Sequence, residues 1–279
     1  MGRTTIAALE QGLWRDGALT LEAELRAVTG DDELASAELP AQACMAERAT
    51  VLLSRTITRL DDLPGGSRDV ARSLSVGDRE RLLLELHALS YGPVLDVVGA
   101  CRRAECGEQF EISMSVRDLI RRPEIAAAAE HVAPLGGEGG RIRFRLPTGA
   151  DQEESAVLAR RDLEQASRLL LDRCVIAVEE GAAPDAIALR ELLAERLSAL
   201  DPQAETIVEV ACPACAETSS VLVDAGALIF GRMASARRLM SEVDRIARAY
   251  HWSEAEILAL PVDRRRAYLG IIADMETAP

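Results

Sequence analysis

Four cysteines are spaced like two metal-binding turns, each of which we call a knuckle. Four residues separate Cys101 from Cys106, and two separate Cys212 from Cys215. Two thiolates this close on a tight turn can both reach one ion at about 2.3 Å, and two such turns complete a tetrahedron. Gly107 suits the left-handed backbone that follows the second cysteine of a knuckle. Because four thiolates leave no open position, the pattern predicts one structural zinc ion (Zn2+) per chain.

Other interpretations of these thiols stay open. The 105 residues between Cys106 and Cys212 exceed the separation in a compact zinc ribbon, so the pairs could be unrelated or bind another metal. A Cys-x-x-Cys pair is also a redox motif. The other two cysteines, Cys44 and Cys174, lie in apolar helical surroundings, where we expect buried side chains. The first residues show no export signal, so we expect reduced thiols rather than disulfides.

Both cysteine pairs lie between short predicted strands. These strands cover residues 94–98, 110–116, 206–210 and 219–223. A helix leads into the first pair, with Ser75 as its predicted N-cap and Gly92 at its end. The Asp78 carboxylate is expected to favour the positive end of that helix. The knuckles are therefore predicted at the tips of two hairpins.

Helices dominate the rest of the prediction. Strands at 19–28 and 141–146 accompany a turn at 29–32, a solvated connector at 126–140, and helices at 41–53, 153–174, 185–200, 233–250 and within 253–272. We expect no repeat beyond the paired knuckles.

The predicted fold class is α+β, mostly helical, with short antiparallel hairpins that form a split zinc-ribbon-like module of four cysteines. We divide the chain into an N-terminal α+β region at 1–92, the split module at 93–225 and a C-terminal helical region at 226–279. A strand and helices are inserted into the split module at 122–205.

The charge of the chain disfavours nucleic acid as a partner. All 32 basic residues are arginines, and 46 acidic residues bring the net charge of the 279 residues to −14. Phosphate-backbone binding needs a surplus of cations on at least one face. No apolar run is long enough to span a bilayer, so no membrane role is expected.

The patterns of common catalytic sites are missing from the sequence. None of the three histidines lies in a His-Glu-x-x-His arrangement, and we find no nucleophile elbow or dinucleotide fingerprint. The absence of lysine excludes Schiff-base and P-loop chemistry. Adjacent carboxylates such as Glu153 and Glu154 point in different directions on a helix and are expected to be solvated. We therefore expect no enzyme and no small-molecule substrate.

Two features of the C-terminal region are expected to be structural. The triple arginine at 264–266 should face an acidic neighbour or a helix C-terminus. Three aromatic residues, Tyr250, Trp252 and Tyr268, are expected to pack inside the chain, with a partner surface as the alternative.

Several of these stretches, taken in order, resemble the baseplate hub proteins of contractile-tailed phages and related extracellular contractile injection systems. They are SVGDRERLLL at 75–84, SYG at 90–92 with the first knuckle, RFRLPTGAD at 143–151, the second knuckle, and YHWSEAEILALP at 250–261. The first knuckle departs from the family pattern, because residues 102–105 replace the usual Cys-Pro-x-Cys spacing.

The resemblance implies a non-enzymatic part of a baseplate, either built into the hub region or aiding its assembly. Its partners would be other baseplate or hub proteins, in the cytoplasm during assembly and then in the assembled tail or injection particle. By the same resemblance Cys101, Cys106, Cys212 and Cys215 would be zinc ligands. Two competing hypotheses are a zinc-ribbon regulatory module that acts on nucleic acid, and a thiol oxidoreductase.

Overall fold

The computed structural model describes residues 3–15, 17–61, 63–135, 140–179 and 186–277. Helices and short antiparallel sheets make up these segments, so the fold is α+β, as the sequence predicts. Within the described segments, no helix has both the length and the apolar character needed to cross a membrane. The division of the chain at 92/93 and 225/226 stays a prediction.

The N-terminal elements are a four-stranded antiparallel sheet and the helices packed on it. In chain order they are β1 (Thr4–Arg15), β2 (Ala18–Arg26), α1 (Gly30–Ala37), α2 (Met45–Thr56), β3 (Ile57–Leu60), β4 (Leu63–Pro64), α3 (Arg68–Ser73) and α4 (Val76–Tyr91). The strand predicted at 19–28 corresponds to β2, and the helix predicted at 41–53 overlaps α2. The turn predicted at 29–32 is wrong, because Thr29 and Asp32 form a capping box that starts α1.

The remaining elements carry the two cysteine hairpins. They are β5 (Val94–Ala100), β6 (Gln109–Ser115), α5 (Val116–Leu119), β7 (His131–Pro134), β8 (Arg141–Phe144), α6 (Gly149–Ala159), α7 (Leu163–Cys174), β9 (Val175–Glu179), α8 (Ala186–Leu200), β10 (Thr206–Ala211), β11 (Thr218–Val223), α9 (Ala225–Arg232), α10 (Ala236–Tyr250), α11 (Glu254–Leu258) and α12 (Val262–Thr277). The hairpins β5-β6 and β10-β11 confirm all four strands predicted around the cysteines.

The middle of the chain is more regular than the sequence predicts. The connector predicted at 126–140 contains β7, while residues 136–139 lie outside the described residues. The single helix predicted at 153–174 is two helices, because Asp162 caps a new one. The predicted start of the next helix, Asp185, also lies outside the described residues.

The internal repeat is longer than the paired knuckles, which corrects the sequence prediction. Apart from β4 and α3, the first half runs β1-β2-α1-α2-β3, then α4, the first hairpin and α5. The second half runs β7-β8-α6-α7-β9, then α8, the second hairpin and α9. In both halves the second strand pairs antiparallel with the first and the third. Each repeat therefore supplies one knuckle.

A motif, Arg-x-x-Thr-Gly-x-Asp, marks each repeat, at residues 26–32 and 145–151. In both copies the arginine donates to the two aspartate oxygens at 2.6 and 3.0 Å. A second arginine, Arg55 or Arg173, donates to the same carboxylate. Burial opposes ionisation of both aspartates, but the arginines outweigh it and hold each pKa below its usual range.

Each motif packs against the start of a helix that lies outside its own repeat. The first motif pairs with the backbone just before α12, and the second pairs in the same pattern with the backbone just before α4. A Cβ atom on Gly149 would lie 2.2 Å from the guanidinium of Arg79, and one on Gly30 would lie 3.0 Å from that of Arg265. Gly149 therefore leaves room for Arg79, whereas Gly30 leaves room for both Arg265 and the Leu258 backbone, whose Cα would lie 2.9 Å from the added atom.

A buried ion cluster joins the C-terminal helices to α1. Arg265 is 1 % exposed, donates to Glu242 at 2.9 Å and also pairs with Glu33. This confirms the acidic neighbour expected for the triple arginine. The aromatic residues expected to pack together do so, at ring-centroid distances of 5.0–5.3 Å: Tyr250, Trp252 and Tyr268.

Candidate metal centre

The structure brings together all four cysteines that the sequence singles out. The Sγ atoms of Cys101, Cys106, Cys212 and Cys215 all lie within 4.8 Å of one another. Sulfurs from opposite knuckles approach to 3.6 Å for Cys101 and Cys215, and to 3.9 Å for Cys106 and Cys212. Residues more than a hundred positions apart thus share one site, which could hold a metal ion.

The sulfur separations fit a tetrahedral ion. With metal–sulfur bonds of about 2.3 Å, the edge of a tetrahedron measures about 3.8 Å. The two distances between knuckles bracket that edge. Cys101 and Cys212 are buried, whereas Cys106 and Cys215 are half-buried, so each knuckle supplies one inner and one outer sulfur.

The backbone turn of each knuckle holds its two thiols on the same side. The backbone N–H of Cys101 donates to the carbonyl oxygen of Glu108 at 2.8 Å, just before β6. In the same way, the N–H of Cys212 donates to the carbonyl oxygen of Glu217 at 2.9 Å, just before β11. The residue after the second cysteine is left-handed in both knuckles, with φ of 59° at Gly107 and at Ala216. The left-handed position predicted at Gly107 is confirmed, and Ala216 adopts the same conformation without the freedom of glycine.

The cluster does not ionise evenly by itself. Burial disfavours the thiolate of Cys212, but the backbone N–H groups of Cys215 and Ala214 outweigh it and lower the pKa of Cys212 to about 7. A backbone hydrogen bond from Arg103 favours the thiolate of Cys101, yet burial and the neighbouring thiols raise the pKa of Cys101 to about 12. Four thiolates at this spacing therefore require a cation to balance their charge.

Buried polar side chains connect the hairpins to the body at the ends opposite the knuckles. Gln203 accepts from the N–H of Arg121 at 2.7 Å, just after the first hairpin and α5, and donates to Thr206 at the start of the second hairpin at 2.9 Å. Glu80 of α4 accepts from the N–H of Ala225, just after the second hairpin, at 2.9 Å. Neither link is predicted by the sequence, because neither residue belongs to a local pattern.

Two buried carboxylates meet where β1, the start of α4 and the end of α8 come together. Asp201 accepts from the N–H of Gly77 at 2.9 Å, and Asp78 accepts from backbone N–H groups of β1, those of Glu10, Gln11 and Gly12. Burial and then the charge of Asp201 raise the pKa of Asp78 to about 7, and burial raises that of Asp201 to about 6. The position predicted for Asp78 is confirmed, because it lies in the first turn of α4 and its N–H donates to the capping Ser75 at 3.1 Å. Its carboxylate also holds β1, a contact that the sequence does not predict.

Other residues singled out by the sequence lie in structural positions. Cys174 is fully buried, as predicted, but Cys44 is half-buried and caps α2 through a hydrogen bond from the N–H of Glu47. Glu153 is not a solvated charge, because it pairs with Arg72 at 2.8 Å and is mostly buried.

Comparison with known proteins adds one finding. A family model described as T4 bacteriophage base plate protein matches residues 61–230, which is more than half of the chain and includes both knuckles. No curated protein and no solved structure matches the chain.

Proposed function

Since the chain belongs to the T4 bacteriophage base plate protein family, we propose that it is a non-enzymatic structural or assembly component of the baseplate hub region of a contractile tail or injection system. Its partners in this proposal are other baseplate or hub proteins. It works in the cytoplasm during assembly, and as a resident subunit it stays in the finished particle. The family match carries this proposal.

One structural zinc ion per chain completes the proposal. The four cysteines Cys101, Cys106, Cys212 and Cys215 would hold it, and a bound zinc ion would contribute folding free energy directly. The chemistry of the donor set supports zinc, since all four ligands are thiolates and leave no open coordination position. Because each repeat supplies one knuckle, the ion would fasten the two repeats at the hairpin tips.

The polar links at the hairpin bases support an architectural role for the site. The hairpins are bound to the body through Gln203 and Glu80 at one end and meet through sulfur at the other. A hairpin of two strands has little core of its own. A metal ion bound at the hairpin tips would therefore stiffen a part of the protein that has little apolar core. Such stiffness suits a subunit of a particle that transmits force.

Deletion of the gene in a host that makes the particle tests the proposal. We expect the yield of contractile particles to fall, with yield restored by a tagged copy. Density-gradient purification then separates the two versions: a resident subunit sediments with the particles, whereas an assembly factor stays in the soluble fractions. Unchanged yield and unchanged particle composition after deletion would contradict both versions.

A binding assay separates the proposal from a nucleic-acid regulator. The purified chain is titrated with a duplex oligonucleotide at 50 and 200 mM salt. A baseplate component should show no binding tighter than the ordinary non-specific range at either salt. Tight binding with a steep salt dependence would favour the regulator instead.

A further inference from the structure

An arginine-rich groove lies between α10 and α12, apart from the metal centre. Its volume is about 590 Å3, and four arginines and one carboxylate line it. We call it the arginine groove and define it by these charged residues: Arg237, Arg238, Glu242, Arg245 and Arg266.

The one carboxylate of the arginine groove is already neutralised. Glu242 accepts from the buried Arg265 at 2.9 Å and from Arg238 at 3.1 Å. Arg238 is thus compensated by Glu242, so the positive charge that the groove offers to a ligand comes from Arg237, Arg245 and Arg266. The groove is therefore a local positive site on an acidic protein.

The other arginines of the groove keep most of their charge available. Arg266 donates to the backbone carbonyl of Arg232 at 3.2 Å and lies 5.1 Å from the ring centre of Tyr91, two contacts that bring it no carboxylate. Arg245 pairs at 2.9 Å with Glu276, which is 61 % exposed. Arg237 is exposed and, within the described part of the chain, has no ion-pair partner. Exposed pairs of this kind exchange partners at little cost.

The distribution of charge along the chain indicates what the groove binds. Residues 226–279 hold eight arginines and seven carboxylates, whereas residues 1–225 hold 24 arginines and 39 carboxylates. A long polyanion such as nucleic acid would extend from the groove over the acidic remainder and be repelled. A short segment with three or four carboxylates matches the groove alone.

We propose that the arginine groove docks an acidic segment of a partner protein. The arginines of the groove would attract the carboxylates of that segment. Attraction of this kind contributes more to the choice of partner and to the association rate than to affinity. It depends on neither the metal centre nor the baseplate assignment, so each can fail without the other.

A fluorescent hexaglutamate peptide is the probe, titrated at 50 mM salt by anisotropy. Arg237→Glu should weaken binding about fivefold to tenfold, because it replaces an attraction by a repulsion. This variant is safe for folding, since a carboxylate in the first turn of α10 favours the helix dipole. The matched control is Arg248→Glu, the same change on the same helix at a side chain 79 % exposed and outside the groove, with less than a twofold effect expected.

Four results would overturn the proposal. They are no detectable binding of hexaglutamate, equal binding of hexaglutamine, equal weakening by both variants, and tighter binding of a single-stranded hexanucleotide with the same dependence on Arg237. The last result would assign the groove to phosphate instead of carboxylate.

Discussion

Replacing Asp201 by asparagine should stabilise the protein near neutral pH. The side chain is 3 % exposed and accepts from the N–H of Gly77 at 2.9 Å. Burial raises its pKa from 3.8 to about 6, and the hydrogen bonds from Gly77 and Ser75 offset only part of that. A shift of about two units corresponds to about 3 kcal/mol between the two protonation states.

The sign follows from proton binding in the two states. Because the folded pKa is raised, the folded protein holds this proton more tightly than the unfolded chain does. The resulting stability is fully present below pH 3.8 and is lost as the pH rises through about 6. An asparagine at 201 imitates the protonated acid and keeps an oxygen for Gly77. Asp201→Asn should therefore change the free energy of unfolding by close to zero near pH 4 and by about +3 kcal/mol above pH 7.

Urea unfolding of both proteins at several pH values between 4 and 8 measures this difference. Removing the charge also favours ionised Asp78, which acts in the same direction. The matched control is Asp172→Asn, an exposed carboxylate paired with Arg190 at 3.2 Å, for which less than about 1 kcal/mol is expected at any pH. A difference for Asp201→Asn that does not depend on pH, or a loss of stability at pH 8, would refute the reasoning.

Three further predictions concern the knuckles and the buried ion cluster. Cys212→Ser should reduce bound zinc below one equivalent and lower the melting temperature. The control Cys44→Ser should change neither, because serine keeps a capping side chain on α2. Elemental analysis measures the zinc content, and calorimetry measures the melting temperature. Ala216→Gly should stabilise the zinc-loaded protein by about 1 kcal/mol in urea unfolding, and Gly107→Ala should cost about as much, because both positions are left-handed. Arg265→Met should cost about 3–5 kcal/mol, since it leaves the buried Glu33 without its cation and takes one of two arginines from Glu242. A cost below about 1 kcal/mol would contradict the buried ion pair.

The sequence predicts the cluster of four cysteines because the features of each knuckle are local. Two cysteines at short spacing, a residue that tolerates a left-handed backbone and flanking alternating strands are all visible within about twenty residues. What brings the two knuckles together is distributed instead over the whole chain. The hairpin bases are held by Gln203 and Glu80. Each accepts a hydrogen bond from a backbone N–H far away in sequence, that of Arg121 for Gln203 and that of Ala225 for Glu80.

The N-terminal strand and the repeat escaped prediction for different physical reasons. β1 contains a register shift between Ala8 and Leu13, with Gly12 at φ of 70°, so the alternation that identifies a strand is broken. The motifs at 26–32 and 145–151 share arginine, threonine, glycine and aspartate at the same spacing, and that spacing was the signal available.

Burial gives Asp78 a second role, beyond the place at the start of α4 that the sequence predicts. Asp78 has the position of a helix-capping acid, but the bulged β1 covers it and supplies three backbone donors. Sequence patterns assign a charge to solvent by default, because the cost of burial depends on partners that only the tertiary structure supplies.

X-ray absorption at the zinc edge, combined with elemental analysis of the natively purified protein, tests the central claim most directly. A single metal shared by the two repeats predicts one zinc per chain with four sulfur neighbours at about 2.3 Å. Protein that is fully folded without metal, or zinc surrounded by nitrogen or oxygen donors, would contradict a shared thiolate centre.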